Sequence, residues 1–134
     1  MVGLLLLGIS LAVPSPAAQS KPTATAEGKL GMNDAGMPIL KTRDGVKEIT
    51  TANSYLLHTL KDKRLQGRDV RLQGTAGPHG GLDVEQIFTV HDGKVFRVRY
   101  YCKVCNIEAL EPGPCVCCQQ PTEFQEELVE GTTP

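Results

Sequence analysis

The pattern of apolar and polar positions begins with a largely apolar run at residues 4–13, interrupted only by a serine at position 10, which is followed by proline, serine and alanine. A run of about ten residues is too short to span a bilayer but matches the apolar core of a secretory signal. Small residues at positions 17, 18 and 20 offer cleavage points. We therefore predict a signal peptide at residues 1–20 and export to the periplasm or the extracellular space. An uncleaved membrane anchor and a buried helix are the alternatives.

The next part of the chain changes pattern twice. Residues 21–28 are small, polar and proline-containing, which predicts a linker. Turn dipeptides then divide residues 28–52 into short predicted strands. Leucines 56, 57, 60 and 65 recur at helical spacing, with Asn53 or Ser54 as the N-cap and Gly67 as the end of this predicted helix.

Beyond Gly67 the apolar period becomes two, as expected of half-buried strands. The segments 68–76, 82–90 and 94–102 read as strands, and Asp92-Gly93 predicts a hairpin turn between the last two. Phe96, Val98 and Tyr100 are expected on one face of the last strand, with Arg97 and Arg99 on the other. The sequence thus predicts an α+β fold with one helix, in which residues 29–101 form the β-rich domain.

A helix followed by a glycine-containing strand and a hairpin is similar, over residues 49–101, to small barrels of the OB-fold type. That resemblance implies a small β-barrel or curved antiparallel sheet, and a surface for oligonucleotides or oligosaccharides. Binding of this kind needs a basic groove with exposed aromatic side chains. The available side chains are Arg68, Arg71, Arg97 and Arg99, with Phe88, Phe96, Tyr100 and Tyr101. We expect these arginines to be solvated surface residues and these aromatic residues to belong to the core.

Composition limits the function classes. The chain has 134 residues, 40% of them hydrophobic, and a formal net charge of −1, which argues for one globular domain and against a nucleic-acid binder or a disordered acidic chain. Aromatic residues make up only 4%, so a bound metal or cross-link would help to stabilise a modest core. Lysine and arginine outnumber acidic residues between positions 58 and 103, and acidic residues predominate among the charged residues between positions 108 and 130. We expect residues 121–134 to be a flexible acidic tail.

All five cysteines lie within seventeen positions, in the segment 102–118. Two CxxC pairs, Cys102 with Cys105 and Cys115 with Cys118, are separated by nine residues that include Pro112, Gly113 and Pro114. A pair two residues apart on a tight turn can present both sulfurs to one ion, and two such turns complete a tetrahedron. The double CxxC resembles the knuckles of zinc ribbons, although Asn106 and Gln119 stand where knuckles often have glycine. We therefore predict a metal-stapled module at residues 102–120.

The identity of the ligands and of the metal leaves alternatives open. Cys117 is either a spare thiol or the ligand in place of Cys118, and we favour Cys118. Structural zinc is preferred, with one ion per chain, but iron uses the same ligand set. Disulfides between the two turns and a redox-active thiol are the other interpretations of the cluster. The three histidines are expected to be ordinary surface residues.

The segment 92–124 also looks like the C-terminal part of small exported bacterial proteins of unassigned function, and this resemblance implies a shared module but no substrate. A closed four-thiolate cage has no open coordination position, and the sequence has no nucleophile–base motif or phosphate loop, so we expect no enzyme. The predicted function is an exported, zinc-stabilised binding domain for an unknown protein or small ligand. Membrane contact is expected only through an uncleaved signal segment. A thiol-redox or metal-handling protein and an OB-like ligand binder are the rival hypotheses.

Overall fold

The structure, a computed structural model, describes residues 12–15 and 21–129. The predicted signal peptide falls mostly outside these residues, as does the end of the acidic tail from residue 130. Within the described part of the chain, no helix is both long and apolar enough to cross a membrane.

The described residues form a sheet-dominated fold with one α-helix. The helix α1 spans Ser54–Leu60, and a single 3-10 turn spans Pro78–Gly80. The strands are β1 Thr23–Met32, β2 Pro38–Thr42, β3 Gly45–Thr50, β4 Asp69–Ala76, β5 Leu82–His91, β6 Lys94–Cys102, β7 Ile107–Ala109 and β8 Glu123–Leu128.

The first five strands pair in a closed circuit. Strand β1 pairs antiparallel with β2 and with β4, β2 pairs with β3, and β4 pairs with β5. A short parallel pairing between β3 and β5, in which Ile49 lies opposite Leu82, closes the circuit. Alternate apolar side chains of these strands point inward and pack with two leucines from the helical region. The buried core consists of Leu30, Leu40, Ile49, Leu60, Leu65, Val70, Leu72, Leu82, Val84 and Ile87.

Two glycines let neighbouring strands cross closely inside this circuit. A Cβ on Gly28 would collide with the backbone carbonyl of Lys41, and a Cβ on Gly74 would collide with the backbone carbonyl of Asp83. Gly74 also lies where the register between β4 and β5 shifts. Only glycine fits at either position, since any other residue brings a side chain into the backbone of the next strand.

The predicted linker at residues 21–28 is wrong from Thr23 onward, because these residues belong to strand β1. The strand begins at Thr23, and residues 23–29 lie opposite residues 69–75 of β4. Its small inward residues Ala24 and Ala26 pack against the core. Small residues are typical of linkers, but they also suit a strand that approaches its neighbours closely, so composition could not separate the two structures.

The helix has the predicted start but ends earlier than predicted. The side-chain oxygen of Asn53 accepts hydrogen bonds from the N–H groups of Tyr55 and Leu56, which confirms the N-cap. The helix ends at Leu60, and turns occupy the residues up to Gly67. Asp62 accepts a hydrogen bond from the backbone N–H of Arg64 at 2.9 Å, which supports a new turn that places Leu65 in the core.

Strand β6 continues beyond the closed circuit and supports the C-terminal part of the chain. One edge pairs first with β5 and then with β7, while the other edge pairs with β8. The predicted flexible tail is therefore wrong for Glu123–Leu128, which form β8. Phe124 from this strand packs against the core, so the acidic segment is held to the fold by an apolar contact. The acidic composition of the segment does not indicate this contact.

The uneven charge of the sequence is neutralised within the fold. Arg97 of β6 pairs with Glu108 of β7 at 2.6 Å and with Glu127 of β8 at 2.8 Å. Among residues 108–129, every acidic side chain contacts a basic one. The remaining pairs are His58 with Glu111, Arg68 with Glu126, His91 with Glu126, Arg99 with Glu127 and Lys103 with Glu123.

Candidate metal centre

Each CxxC pair forms the turn of a hairpin. The first connects β6 to β7, where Cys102 lies opposite Ile107. The second lies in a shorter hairpin, in which Pro114 pairs with Pro121 and the N–H of Cys115 donates to the carbonyl of Gln120 at 2.8 Å. Hairpin turns hold both cysteines of a pair on one side of the backbone, so each turn offers two sulfurs to a common centre.

The end of β6 brings the two hairpins together. Tyr101 lies opposite Glu108 on the β7 edge and opposite Glu123 on the β8 edge. Strand β7 leads out of the first pair, and β8 begins five residues after Cys118. Both hairpins are therefore anchored to one strand end.

The two turns have the same backbone geometry. The N–H of Asn106 donates to the carbonyl of Cys102 at 2.8 Å, and the N–H of Gln119 donates to the carbonyl of Cys115 at 2.9 Å. Asn106 and Gln119 have positive φ angles of 56° and 62°. These are the positions where zinc knuckles often carry glycine, and both residues adopt the left-handed conformation that glycine would take.

The four predicted sulfurs come together at the meeting point of the turns. The Sγ atoms of Cys102, Cys105, Cys115 and Cys118 all lie within 4.8 Å of one another. The Sγ atoms of Cys102 and Cys118 are 3.5 Å apart. A tetrahedral zinc–thiolate centre with bonds of about 2.3 Å has sulfurs about 3.8 Å apart, so the group fits a single ion of that size. The cluster is compatible with a metal site.

Backbone N–H groups point at the sulfurs, as the turn geometry predicts. The N–H of Cys105 donates to the Sγ of Cys102 at 3.4 Å. Hydrogen bonds from the backbone N–H groups of Cys118 and Cys117 lower the pKa of the Cys115 thiol to about 7. Such donors stabilise thiolate charge, which is the form in which cysteine binds a metal ion.

The thiols of Cys105 and Cys118 have raised pKa values. A hydrogen bond to the Cys118 sulfur raises the pKa of the Cys105 thiol, and the Cys117 sulfur adds to this effect. The N–H of Gln120 favours the Cys118 thiolate, but burial and a hydrogen bond with Cys102 outweigh it and raise that pKa. Crowded sulfurs cannot all ionise without a cation between them, and a bound metal ion removes this conflict.

The fifth cysteine lies at the edge of the group. Cys117 is exposed, whereas Cys102 and Cys115 are fully buried and Cys105 and Cys118 are half-buried. All five cysteines are free thiols in this structure. The fourth member of the compact group is Cys118, and Cys117 does not belong to that group.

A polar cluster that no local pattern in the sequence indicates is formed around Tyr100 of β6. Tyr100, two residues before Cys102, is buried and donates a hydrogen bond to Asp62 Oδ2 at 2.7 Å. Burial, followed by the bond to Asp62, raises the pKa of this phenol well above its usual range. The Arg64 guanidinium binds the same carboxylate and lies 5.2 Å above the Tyr100 ring and 5.4 Å from the Phe124 ring. The cluster ties β6 and β8 to the turn after α1.

The basic strand face and the histidines do not join the cage. Arg97 is bound by two glutamates, and Arg99 donates to Gln125 and stacks on Tyr101 at 5.0 Å. His58 contacts Glu111, and the ring of His91 stacks on Phe96 at 4.0 Å. The four-cysteine group contains no histidine.

An apolar crevice of about 410 Å³ lies between α1 and the second turn. Exposed apolar side chains that line it are Tyr55, Ile107, Leu110 and Val116. Leu110 and Val116 are 73% and 85% exposed, which is unusual for apolar side chains that line the same crevice.

Comparison of the chain with protein-family models, with curated proteins and with solved structures finds no match.

Proposed function

We propose that this protein is an exported, non-catalytic binding domain whose C-terminal module is held closed by one zinc ion. The ligands are Cys102, Cys105, Cys115 and Cys118. The observation that carries the proposal is the convergence of these four sulfurs within 4.8 Å on two hairpin turns of matching geometry. Export rests on the apolar run at residues 4–13.

Zinc is the proposed ion because a compact tetrahedral group of four thiolates is its commonest structural site. Four thiolates occupy every position of a tetrahedral ion, so the ion contributes folding free energy rather than chemistry on a substrate.

The proposed fold is an OB-like barrel that carries the metal module at one end. Support comes from the strand order of the closed circuit, which runs β1, β2, β3, β5, β4 and back to β1, with the helix between β3 and β4. This arrangement is typical of a five-stranded Greek-key barrel. The apolar crevice beside the second turn supports an interaction role for the module, because exposed apolar patches are typical of binding surfaces.

The test is metal content across single cysteine replacements in purified full-length protein. Serine at Cys102 or Cys115 should reduce zinc from about one ion per chain to nearly none, since a buried ligand is lost. Serine at the exposed Cys117 should leave the zinc content unchanged. Equal zinc loss in all variants, or no zinc in the unmodified protein, would contradict the proposal. Iron in place of zinc would be recognised by visible absorption from the iron–thiolate centre.

The second candidate is a thiol-redox or metal-handling protein, which the exposure of Cys117 beside the cage favours. A reversible two-electron couple in the purified protein would support the redox form of this candidate.

A further inference from the structure

Strand β7 has one open edge. It pairs with β6 alone and ends the order of the sheet, so no strand in the described part of the chain covers its other edge. Ile107, Glu108 and Ala109, which make up the whole strand, all line the apolar crevice of about 410 Å³. Because successive side chains of a strand point to opposite faces, a crevice that touches all three residues runs along the edge of the strand. Backbone N–H and C=O groups at such an edge can pair with an incoming strand.

Exposed apolar side chains surround this edge. Tyr55 of α1 and Val116 of the second CxxC turn both line the crevice, and Leu110 directly follows β7 in its lining. Leu110 is 73% exposed and Val116 is 85% exposed. A strand that joined β7 would place alternate side chains against these residues and remove them from water. The crevice therefore offers both the backbone edge and the apolar contacts that strand addition requires.

The charge of the lining selects the kind of occupant. Glu108 and Glu111 line the crevice, and no described lysine, arginine or histidine does so. Glu108 shares the Arg97 guanidinium with Glu127, and Glu111 contacts His58, which is neutral unless protonated. The crevice therefore favours a cationic occupant. A second copy of the chain would bring the same acidic residues face to face, and an anionic lipid surface would be repelled in the same way.

We propose that the crevice binds an extended segment of a partner protein, in which apolar residues alternate with lysine or arginine, as an added strand beside β7. This inference rests on the proposed binding role and names the class of partner. The backbone of the segment pairs with β7, its apolar side chains pack on Leu110 and Val116, and its basic side chain contacts Glu111. The apolar run of this chain at residues 4–13 contains no lysine or arginine and does not match this chemistry.

The test measures binding of the full chain to a fluorescent synthetic peptide in which lysine alternates with leucine and valine. Leu110→Ser removes an apolar contact, and Val46→Ser is the matched control, because Val46 is 63% exposed on β3 and does not line the crevice. We expect Leu110→Ser to weaken peptide binding by about tenfold or more and Val46→Ser to change it by less than about twofold. A peptide with glutamate in place of lysine should bind at least about tenfold more weakly. No binding by the unmodified chain, or equal losses in the two serine variants, would overturn the proposal.

Hydrogen exchange at the β7 amides tests the mode of binding. We expect saturating peptide to slow exchange at one or more amides of Ile107–Ala109 by about tenfold or more, and unchanged exchange would overturn strand pairing. A concentration-dependent dimer that Leu110→Ser abolishes would show that a second copy covers the crevice, and would also overturn the proposal. Absence of peptide binding in a chain that holds one zinc contradicts this inference alone. Peptide binding by a chain that holds no zinc contradicts the proposed metal centre alone, so the two failures are distinguishable.

Discussion

Asn106 and Gln119 hold the same position in the two turns, directly after the second cysteine, and both have left-handed backbone with φ angles of 56° and 62°. In each turn the N–H of this residue closes the ring by donating to the carbonyl of the first cysteine. Asparagine tolerates this conformation well, whereas a longer side chain such as that of glutamine is strained in it. The second turn therefore stores more backbone strain than the first.

Replacement of Gln119 by glycine should strengthen the second turn. Glycine adopts positive φ without a steric cost, so we expect Gln119→Gly to stabilise the zinc-loaded protein by about 1 kcal/mol. Asn106→Gly should change stability less, because asparagine is already suited to this backbone. Denaturant unfolding of the three proteins measures the difference. A destabilised Gln119→Gly variant would contradict the strain argument.

The hydrogen bond between Tyr100 and Asp62 should stabilise the fold by an amount that depends on pH. Burial alone raises the pKa of Asp62, but hydrogen bonds from Arg64 and Tyr100 outweigh it and hold that pKa below its usual range. Since the folded pKa is depressed, ionised Asp62 stabilises the fold above the unfolded value of about 3.9, and this contribution is lost as the pH falls through the folded pKa.

Tyr100→Phe removes the phenol that donates to Asp62 and should lower the free energy of unfolding by about 1 to 2 kcal/mol at pH 7. The difference in free energy of unfolding between this variant and the unmodified chain should shrink at pH values below the Asp62 pKa, because a protonated carboxyl accepts a weaker hydrogen bond. Parallel urea titrations from pH 7 down to a pH below the folded Asp62 pKa check this. A difference that is independent of pH would show that Asp62 is not the partner that matters.

The closed strand circuit predicts a sharp contrast between two glycines of β1. Alanine at Gly28 would collide with the Lys41 carbonyl, whereas alanine at Gly31 meets only side-chain atoms at 3.6 Å or more. We expect Gly28→Ala to destabilise the protein by about 2 kcal/mol or more and Gly31→Ala to be nearly neutral. Thermal unfolding of both variants measures the contrast. Similar melting temperatures would argue against close packing of β1 on β2.

The pairing of basic residues with C-terminal acids predicts weak polyanion binding. We expect the unmodified chain to pass through a heparin column at physiological ionic strength, because Arg97 is already bound by Glu108 and Glu127. Neutralising both glutamates to glutamine should increase retention beyond that of a control with asparagine at Asp34 and Asp44, which has the same net charge. Strong, salt-sensitive retention of the unmodified chain would instead favour an OB-like polyanion binder.

Local signals in the sequence predicted several parts of this fold. The period of two placed β4, β5 and β6, the Asp92-Gly93 turn joined the last two, and Asn53 capped the helix as expected. Each of these features is fixed by neighbours close in sequence. The four sulfurs that converge are also those that CxxC spacing selected, since a turn two residues long controls both side chains.

The parts that could not be predicted depend on contacts between distant residues. Thr23–Met32 looked partly like a linker because small residues serve both linkers and closely packed strands. Strand β8 was hidden because its stability depends on Phe124 and on pairing with β6, which lies more than twenty residues earlier. The Asp62–Arg64–Tyr100 cluster combines residues from two such regions, and no local pattern marks it.

Metal content and a free-thiol count on natively exported protein, purified without chelator or reductant, show directly whether a zinc ion closes the module. We expect about one zinc per chain, one readily reactive thiol at Cys117, and four further thiols that react only after denaturation in chelator. No metal and a single free thiol would mean that two disulfides close the module, and the proposed zinc centre would then be wrong.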